Sequence, residues 1–172
     1  MERIIILLSI ALFSCRQTTK VVQYSKDGKK ISEVGYNDSV KNGEALIYYE
    51  NGHIKEKGQW KNGKQDGLWR FYYENDSIYA EVFFKNDLQD GICTFYYPNG
   101  HTKSVSNFKE GKANGITQLY YDNGNLQEVS NLENNLLEGA KIIFDSSGKQ
   151  VKYQLYKIGK LIKDSSLVKK EN

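Results

Sequence analysis

One proline, two cysteines and two histidines in 172 residues leave little for the chemistry that usually rests on them. Most hydrolytic and metal constellations draw on His and Cys, so a catalytic or metal centre has few residues from which to be built. No surplus of one charge is present either. Lys and Arg number 24 against 21 Asp and Glu, a formal charge of +3, far from the basic balance of a nucleic-acid footprint. No apolar run reaches the ~20 helical residues that span a bilayer. What is abundant is 13 Tyr and 15 Gly. Tyr favours half-buried pleated surfaces and Gly supplies positive φ in turns, so the composition predicts strands joined by glycine turns rather than helices. The length suits one modest domain.

Met1-Glu2-Arg3 precedes an apolar run of ten residues, Ile4 to Phe13. It is too short to span a membrane and fits the apolar region of a signal peptide. The run ends in Leu12-Phe13-Ser14-Cys15, which resembles the bacterial lipobox. That resemblance implies a lipoprotein signal peptide over residues 1–14, cleaved before Cys15. It also implies a diacylated Cys15 carrying palmitate-like chains, with a further acyl chain on its new amino group. Each chain contributes about 0.8 kcal/mol per buried CH₂. The expected location is the bacterial cell envelope, with membrane attachment through Cys15. Arg16 stands where Asp commonly marks retention in the inner membrane, which favours the outer membrane if the source has two. An ordinary secretion signal or a buried N-terminal segment is the alternative. Residues 15–22 read as a lipidated tether, and Cys93, the other cysteine, reads as a small packed side chain with no disulfide partner.

Stepping by 24 from Gly43 meets Gly67, Gly91, Gly115 and Gly139. Five repeats result, residues 43–66, 67–90, 91–114, 115–138 and 139–162, after a degenerate one at 23–42. Positions five to seven of each repeat read Ile47-Tyr48-Tyr49, Phe71-Tyr72-Tyr73, Phe95-Tyr96-Tyr97, Leu119-Tyr120-Tyr121 and Ile143-Phe144-Asp145. Positions nine and ten read Asn51-Gly52, Asn75-Asp76, Asn99-Gly100, Asn123-Gly124 and Ser147-Gly148, and position eighteen is Trp60, Phe84, Phe108, Leu132 and Tyr156. Such a period marks a stacked architecture in which neighbouring units bury one another's faces. The repeat domain therefore covers residues 23–162, and the polar tail 163–172 has lost the period.

Asn-Gly between strand-like runs predicts a two-residue type I′ turn at positions nine and ten, with φ > 0 at both. With that turn eight faces eleven, seven faces twelve, five faces fourteen and three faces sixteen. One side of the sheet then reads as apolar, holding Trp69, Phe71, Tyr73, Ile78, Ala80, Val82 and Phe84 in the second repeat. The other carries a position-six ladder, Tyr24, Tyr48, Tyr72, Tyr96, Tyr120 and Phe144, among Lys55, Gln59, Lys103, Asn107 and Gln127, and reads as wetter. Lys61 to Gly67 and its equivalents read as looser glycine loops between hairpins. The expected fold class is all-β, an elongated single-layer antiparallel meander of 24-residue β-hairpin repeats. At about 4.8 Å per strand it extends roughly 48 Å.

Gly58-Gln59-Trp60-Lys61-Asn62-Gly63-Lys64-Gln65-Asp66-Gly67-Leu68-Trp69 resembles the MORN repeat, and more closely its bacterial variant with a Gly-Leu-Trp-x-x-Tyr-Tyr-x-Asn-Gly pattern. The resemblance covers residues 24–162. It implies an antiparallel hairpin sheet used as an interaction surface, and members of the variant are often labelled antitoxin-like.

The chemistry-bearing residues follow the period. His53 and His101 share position eleven two repeats apart, about 19 Å at 4.8 Å per strand, too far for one zinc ion. Glu50 and Glu74 recur for the same reason, so no catalytic residue, metal site or cofactor is expected. Tyr48, Tyr72, Tyr96 and Tyr120 form the candidate binding surface, able to stack on sugar rings or to anchor a protein. The leading expectation is a non-catalytic, lipid-anchored envelope scaffold that binds a protein or itself. The alternatives are a glycan- or peptidoglycan-binding module and an antitoxin.

Overall fold

Strands and turns account for the regular structure of the residues described by the computed structural model, 3–6 and 18–166, and there is no helix among them. The chain divides into two units, Met1–Leu88 and Gln89–Asn172. The first holds β1 (Arg3–Ile6), β2 (Thr19–Tyr24), β3 (Lys30–Asn37), β4 (Val40–Tyr48), β5 (Ile54–Lys61), the two-residue β6 (Lys64–Gln65), β7 (Gly67–Tyr72) and β8 (Ile78–Lys85). β9 (Leu88–Tyr96) opens the second, followed by β10 (Thr102–Lys109), β11 (Lys112–Tyr120), β12 (Leu126–Glu133), β13 (Leu136–Phe144), β14 (Gln150–Lys157) and β15 (Lys160–Ser166). Within each unit neighbours in sequence pair antiparallel, as a hairpin meander requires, except that β6 and β7 both pair with β5. Thr19–Val22, read as tether, lie in β2, and Lys163–Ser166, read as tail, pair with β14.

The expected register holds away from the turns. Position three faces sixteen and five faces fourteen, as in Ala45 with Gly58 and Ile47 with Glu56. Near the turns it is overturned, because the two turn types are exchanged. In the turn at positions nine and ten, only the residue at ten has positive φ, for example Gly52 at 88° or Asp76 at 66°. Tyr49 N–H bonds to the His53 carbonyl and Gly52 N–H to the Tyr49 carbonyl, which encloses three residues rather than two. Asn51 serves a different purpose from the expected one: its side-chain oxygen accepts the His53 N–H at 3.0 Å, and Asn75, Asn99 and Asn123 repeat the bond. Register then slips, so that six faces twelve (Tyr48 with Ile54, Tyr72 with Ile78), and Ile78 pairs with the Tyr ladder rather than with Tyr73.

The supposed loose loops are the tight ones. Asp38-Ser39, Asn62-Gly63, Asn86-Asp87, Glu110-Gly111, Asn134-Asn135 and Ile158-Gly159 all have positive φ at both residues, the signature of the type I′ hairpin turn. The glycine at the head of each repeat belongs to neither turn. Gly43, Gly67, Gly115 and Gly139 have φ between 81° and 101° and sit where the pairing of successive hairpins shifts register, so each makes a β-bulge, and Gly91 has the same left-handed φ at 119°.

The core of the first unit is built around Trp69, which is fully buried, as is Ala45, with Val34 buried beside them. Trp60 meets its ring edge-on at 5.5 Å, Phe84 at 6.4 Å, and Phe71 lies tilted at 6.5 Å. The indole N–H donates to the Gln59 carbonyl at 3.2 Å. Burying a Trp removes about 150–250 Å² from water, roughly 4–6 kcal/mol before entropy.

Candidate functional site

Two faces follow from the strand pleat: a Trp face made of positions three, five, fourteen, sixteen and eighteen, and a Tyr face made of positions two, four, six, fifteen and seventeen. On the Trp face of the first unit positions three, fourteen and sixteen hold Ala45, Gly58, Trp69, Ala80 and Val82, all buried, with the half-buried Glu56 as the polar member. In the second unit the same positions hold Cys93, Ser104, Ser106, Thr117, Glu128, Ser130, Lys141, Lys152 and Gln154. Their polar groups answer one another. Thr117 bonds Ser106 at 3.2 Å, Lys141 pairs with Glu128 at 2.8 Å, and Gln154 donates to Asp164 at 3.3 Å.

The Tyr face departs from the expectation of a wet surface. It is the more exposed of the two, but in the second unit it is not the more polar. Ile92 and Ile116, at position two of successive repeats, are 51% and 55% exposed. Ala140 continues the row, and Val105, Val129 and Ile142 lie half-buried alongside. Tyr96 and Tyr120 border it, half-buried. In the first unit the equivalent ground is mixed: the ion pairs Lys57–Glu44 at 3.1 Å and Arg70–Glu81 at 2.8 Å lie beside Leu68 and its strand partner Phe83, which is 43% exposed.

The ladder residues are individually placed by the bulge beside the turn. Tyr48 and Tyr72 are half-buried like Tyr96 and Tyr120. Tyr48 donates its hydroxyl to Glu33 at 2.9 Å, and Glu33 also takes Lys20 at 2.9 Å and Lys30 at 2.5 Å. The two ammonium groups, Lys30 first, hold the Glu33 carboxyl down to about 2. A groove of about 320 Å³ lies beside Tyr48, lined also by Lys29, Lys30, Tyr49 and Glu50.

The position-seven tyrosines, read in the sequence as apolar-face residues, form a second row with a bonding role of its own. At position seven Tyr49 donates to the Tyr72 carbonyl at 2.6 Å, Tyr97 to the Tyr120 carbonyl at 2.8 Å and Tyr121 to the Phe144 carbonyl at 2.9 Å. Each hydroxyl thus ties one hairpin to the next. The readable signal was Asp145, which replaces Tyr at this position in the repeat 139–162. Its carboxylate instead accepts the N–H groups of Ser147 and Lys149, both at 3.0 Å.

The histidines do similar work at the turn edge: His53 Nδ1 lies 2.7 Å from the Asp76 carboxylate, and His101 Nδ1 donates to the Asp122 carbonyl at 2.6 Å. No group of three or more potential ligands capable of holding a metal occurs among the described residues. Cys93 is buried, and burial pushes its thiol up to about 11, which keeps it protonated and unreactive at neutral pH. Cys15 lies outside the described residues.

The MORN repeat variant pattern matches residues 41–62, 65–86, 89–110 and 113–134. The chain belongs to the MORN repeat variant family. Each match starts just after one tight turn and ends on the first residue of the next, so the MORN unit is the hairpin that encloses the three-residue turn. Strands of this MORN protein lie outside the matches on both sides, β2 and β3 before and β13, β14 and β15 after. No curated protein matches the chain.

Proposed function

We propose that this MORN repeat protein is a non-catalytic, lipid-anchored scaffold of the bacterial cell envelope that presents the Tyr face of its second unit to a protein partner. The observation that carries the reading is the row Ile92 and Ile116, more than half exposed on adjacent hairpins and flanked by Val105, Val129 and Ile142. Single exposed apolar residues are ordinary, but a contiguous exposed row marks an interaction site. Tyr96 and Tyr120 add contact area at low entropy cost on its border. The lipid on Cys15 supplies the location, and Arg16 favours the outer membrane where there are two.

Two measurements test it. Intact mass of natively expressed protein is expected to show a chain beginning at Cys15 with acyl mass, and an unprocessed chain would remove the anchor. In-cell crosslinking with Ile92→Lys/Ile116→Lys is expected to lose the crosslinked partner while the unfolding midpoint stays put. Retention of the same partner by a folded variant would overturn the choice of face.

A further inference from the structure

The strand that closes the N-terminal edge of the first unit comes from the segment that the lipobox reading removes. β1 lies antiparallel on β2, with Arg3 opposite Tyr24, Ile4 opposite Gln23, Ile5 opposite Val22 and Ile6 opposite Val21. We infer that cleavage before Cys15 bares the outer edge of β2 and that this edge then pairs with the β2 edge of a second copy of the chain. The inference rests on the lipoprotein reading for its trigger and on the edge itself for its chemistry.

In an antiparallel sheet alternate residues of a strand point both N–H and C=O toward the same neighbour. β3 satisfies one set of β2's groups, and β1 faces the other. With β1 gone, the second set faces outward as a template for another strand. Natural edges are blunted by proline, bulges or charge, and this one is not. Thr19-Lys20-Val21-Val22-Gln23-Tyr24 contains no proline or glycine, and its one charge, Lys20, is drawn sideways to Glu33 on β3 at 2.9 Å. The edge strand of the second unit shows the contrast: β15 carries Lys160, Lys163 and Asp164 in seven residues.

The occupant is argued from what already sits there. β1 carries the β-branched run Ile4-Ile5-Ile6, with Ile5 and Ile6 paired antiparallel to the two valines. A second β2 brings the same chemistry in Thr19, Val21 and Val22. A two-fold axis imposes the antiparallel direction on two copies of one strand, so the self-pairing closes as a dimer instead of growing a fibre. Cys15 lies four residues before Thr19, and confinement of both anchors to one membrane raises the effective concentration of the edges. The leader strand on this reading is also a cap, holding the edge shut until export is complete.

The test uses the full chain in detergent in three forms, with mass measured by sedimentation equilibrium. The processed protein is expected to be a dimer. Cys15→Ala, which keeps the leader, is expected to be a monomer, and Cys15→Ala with Ile4→Pro/Ile5→Pro, which cannot seat β1, is expected to double in mass. The last form leaves every residue of the repeat domain unchanged, so misfolding of the domain does not confuse the comparison. A monomeric proline form with native circular dichroism overturns the inference, as does a dimer that forms equally with β1 seated. A processed protein that is monomeric alone and pairs only with a foreign strand overturns the choice of occupant. If intact mass shows no cleavage at Cys15 the trigger fails, and the two Cys15→Ala forms still decide the edge pairing.

Discussion

Gly58→Ala adds one methyl group at the most crowded contact in the first unit. A Cβ on Gly58 would stand 2.2, 2.4 and 2.6 Å from Cδ2, Cε2 and Cγ of Trp69, where carbon atoms settle at about 3.5–4.0 Å. The ring must retreat by about 1 Å, yet it is 0% exposed, with Trp60 edge-on at 5.5 Å and Phe84 at 6.4 Å. Overpacking of this kind costs roughly 1–3 kcal/mol, and losing the indole bond to Gln59 adds about 1 kcal/mol. The backbone argues the other way. Thirteen of the fifteen glycines have positive φ, and Gly58 is one of the two that do not, so alanine there stiffens the unfolded chain and returns about 0.4–1 kcal/mol. The balance is a loss of roughly 1–3 kcal/mol. Urea unfolding followed by far-ultraviolet circular dichroism measures it, with the slope compared alongside the midpoint because repeat arrays need not unfold in one step. The same alanine in a Trp69→Leu background should cost nothing or stabilise, since the ring it strikes is gone. An alanine variant as stable as the parent, or an equal loss in both backgrounds, would refute the account of Gly58 as a slot for Trp69.

Ile158→Asn should stabilise the chain by about 1 kcal/mol and raise Tm by roughly 2–4 °C, because a β-branched residue there holds the left-handed conformation that asparagine tolerates; its φ is 49° and its side chain is 68% exposed, so little packing is lost. A lower or unchanged Tm in a thermal melt would count against this. Glu33→Gln should flatten the acid limb of stability. The folded carboxyl sits at about 2 against an ordinary 4.5, so its contribution is complete above 4.5 and drains as pH falls toward 2. Lys20 and Lys30 are 52% and 41% exposed, which trims the contribution to roughly 1–2 kcal/mol. Denaturant titrations at stepped pH should find the gap between parent and variant closing across that window, and a gap that stays constant would reject the assignment.

Period, strand content and central register were legible because every step of 24 residues repeats the same pairing, as in Ala45 with Gly58 and Trp69 with Val82. The turns misled because both kinds carry Asn and Gly. What separates them is a bond invisible to a dipeptide rule: Asn51 spends its side chain on the His53 N–H, which leaves only Gly52 left-handed. The tight turns Asp38-Ser39, Asn86-Asp87 and Asn134-Asn135 reach the same geometry without any glycine. Aromatic content hid the position-seven tyrosines in the same way, since a hydroxyl aimed at the next hairpin's carbonyl reads as one more apolar ring.

The candidate surface emerges from comparing one slot across repeats. Positions three and sixteen are buried at Ala45, Trp69, Val82, Cys93, Ser130 and Gln154, all below 9% exposure, and half-buried at Ser106, Thr117 and Lys141, so the backbone path keeps this slot from being exposed whatever side chain fills it. Yet the slot is filled with apolar residues in the first unit and largely with hydroxyls, amides and ion pairs in the second. Position two is Glu44 and the half-buried Leu68 in the first unit and the exposed Ile92 and Ile116 in the second. A sequence shaped by folding alone gains by placing isoleucine in the buried slot and serine on the exposed one. The second unit does the reverse, and the exposed isoleucines bring the chain no burial of their own. On the proposed function they gain burial from the protein partner that covers them, and the Tyr face of the second unit is the surface that proposal assigns to it.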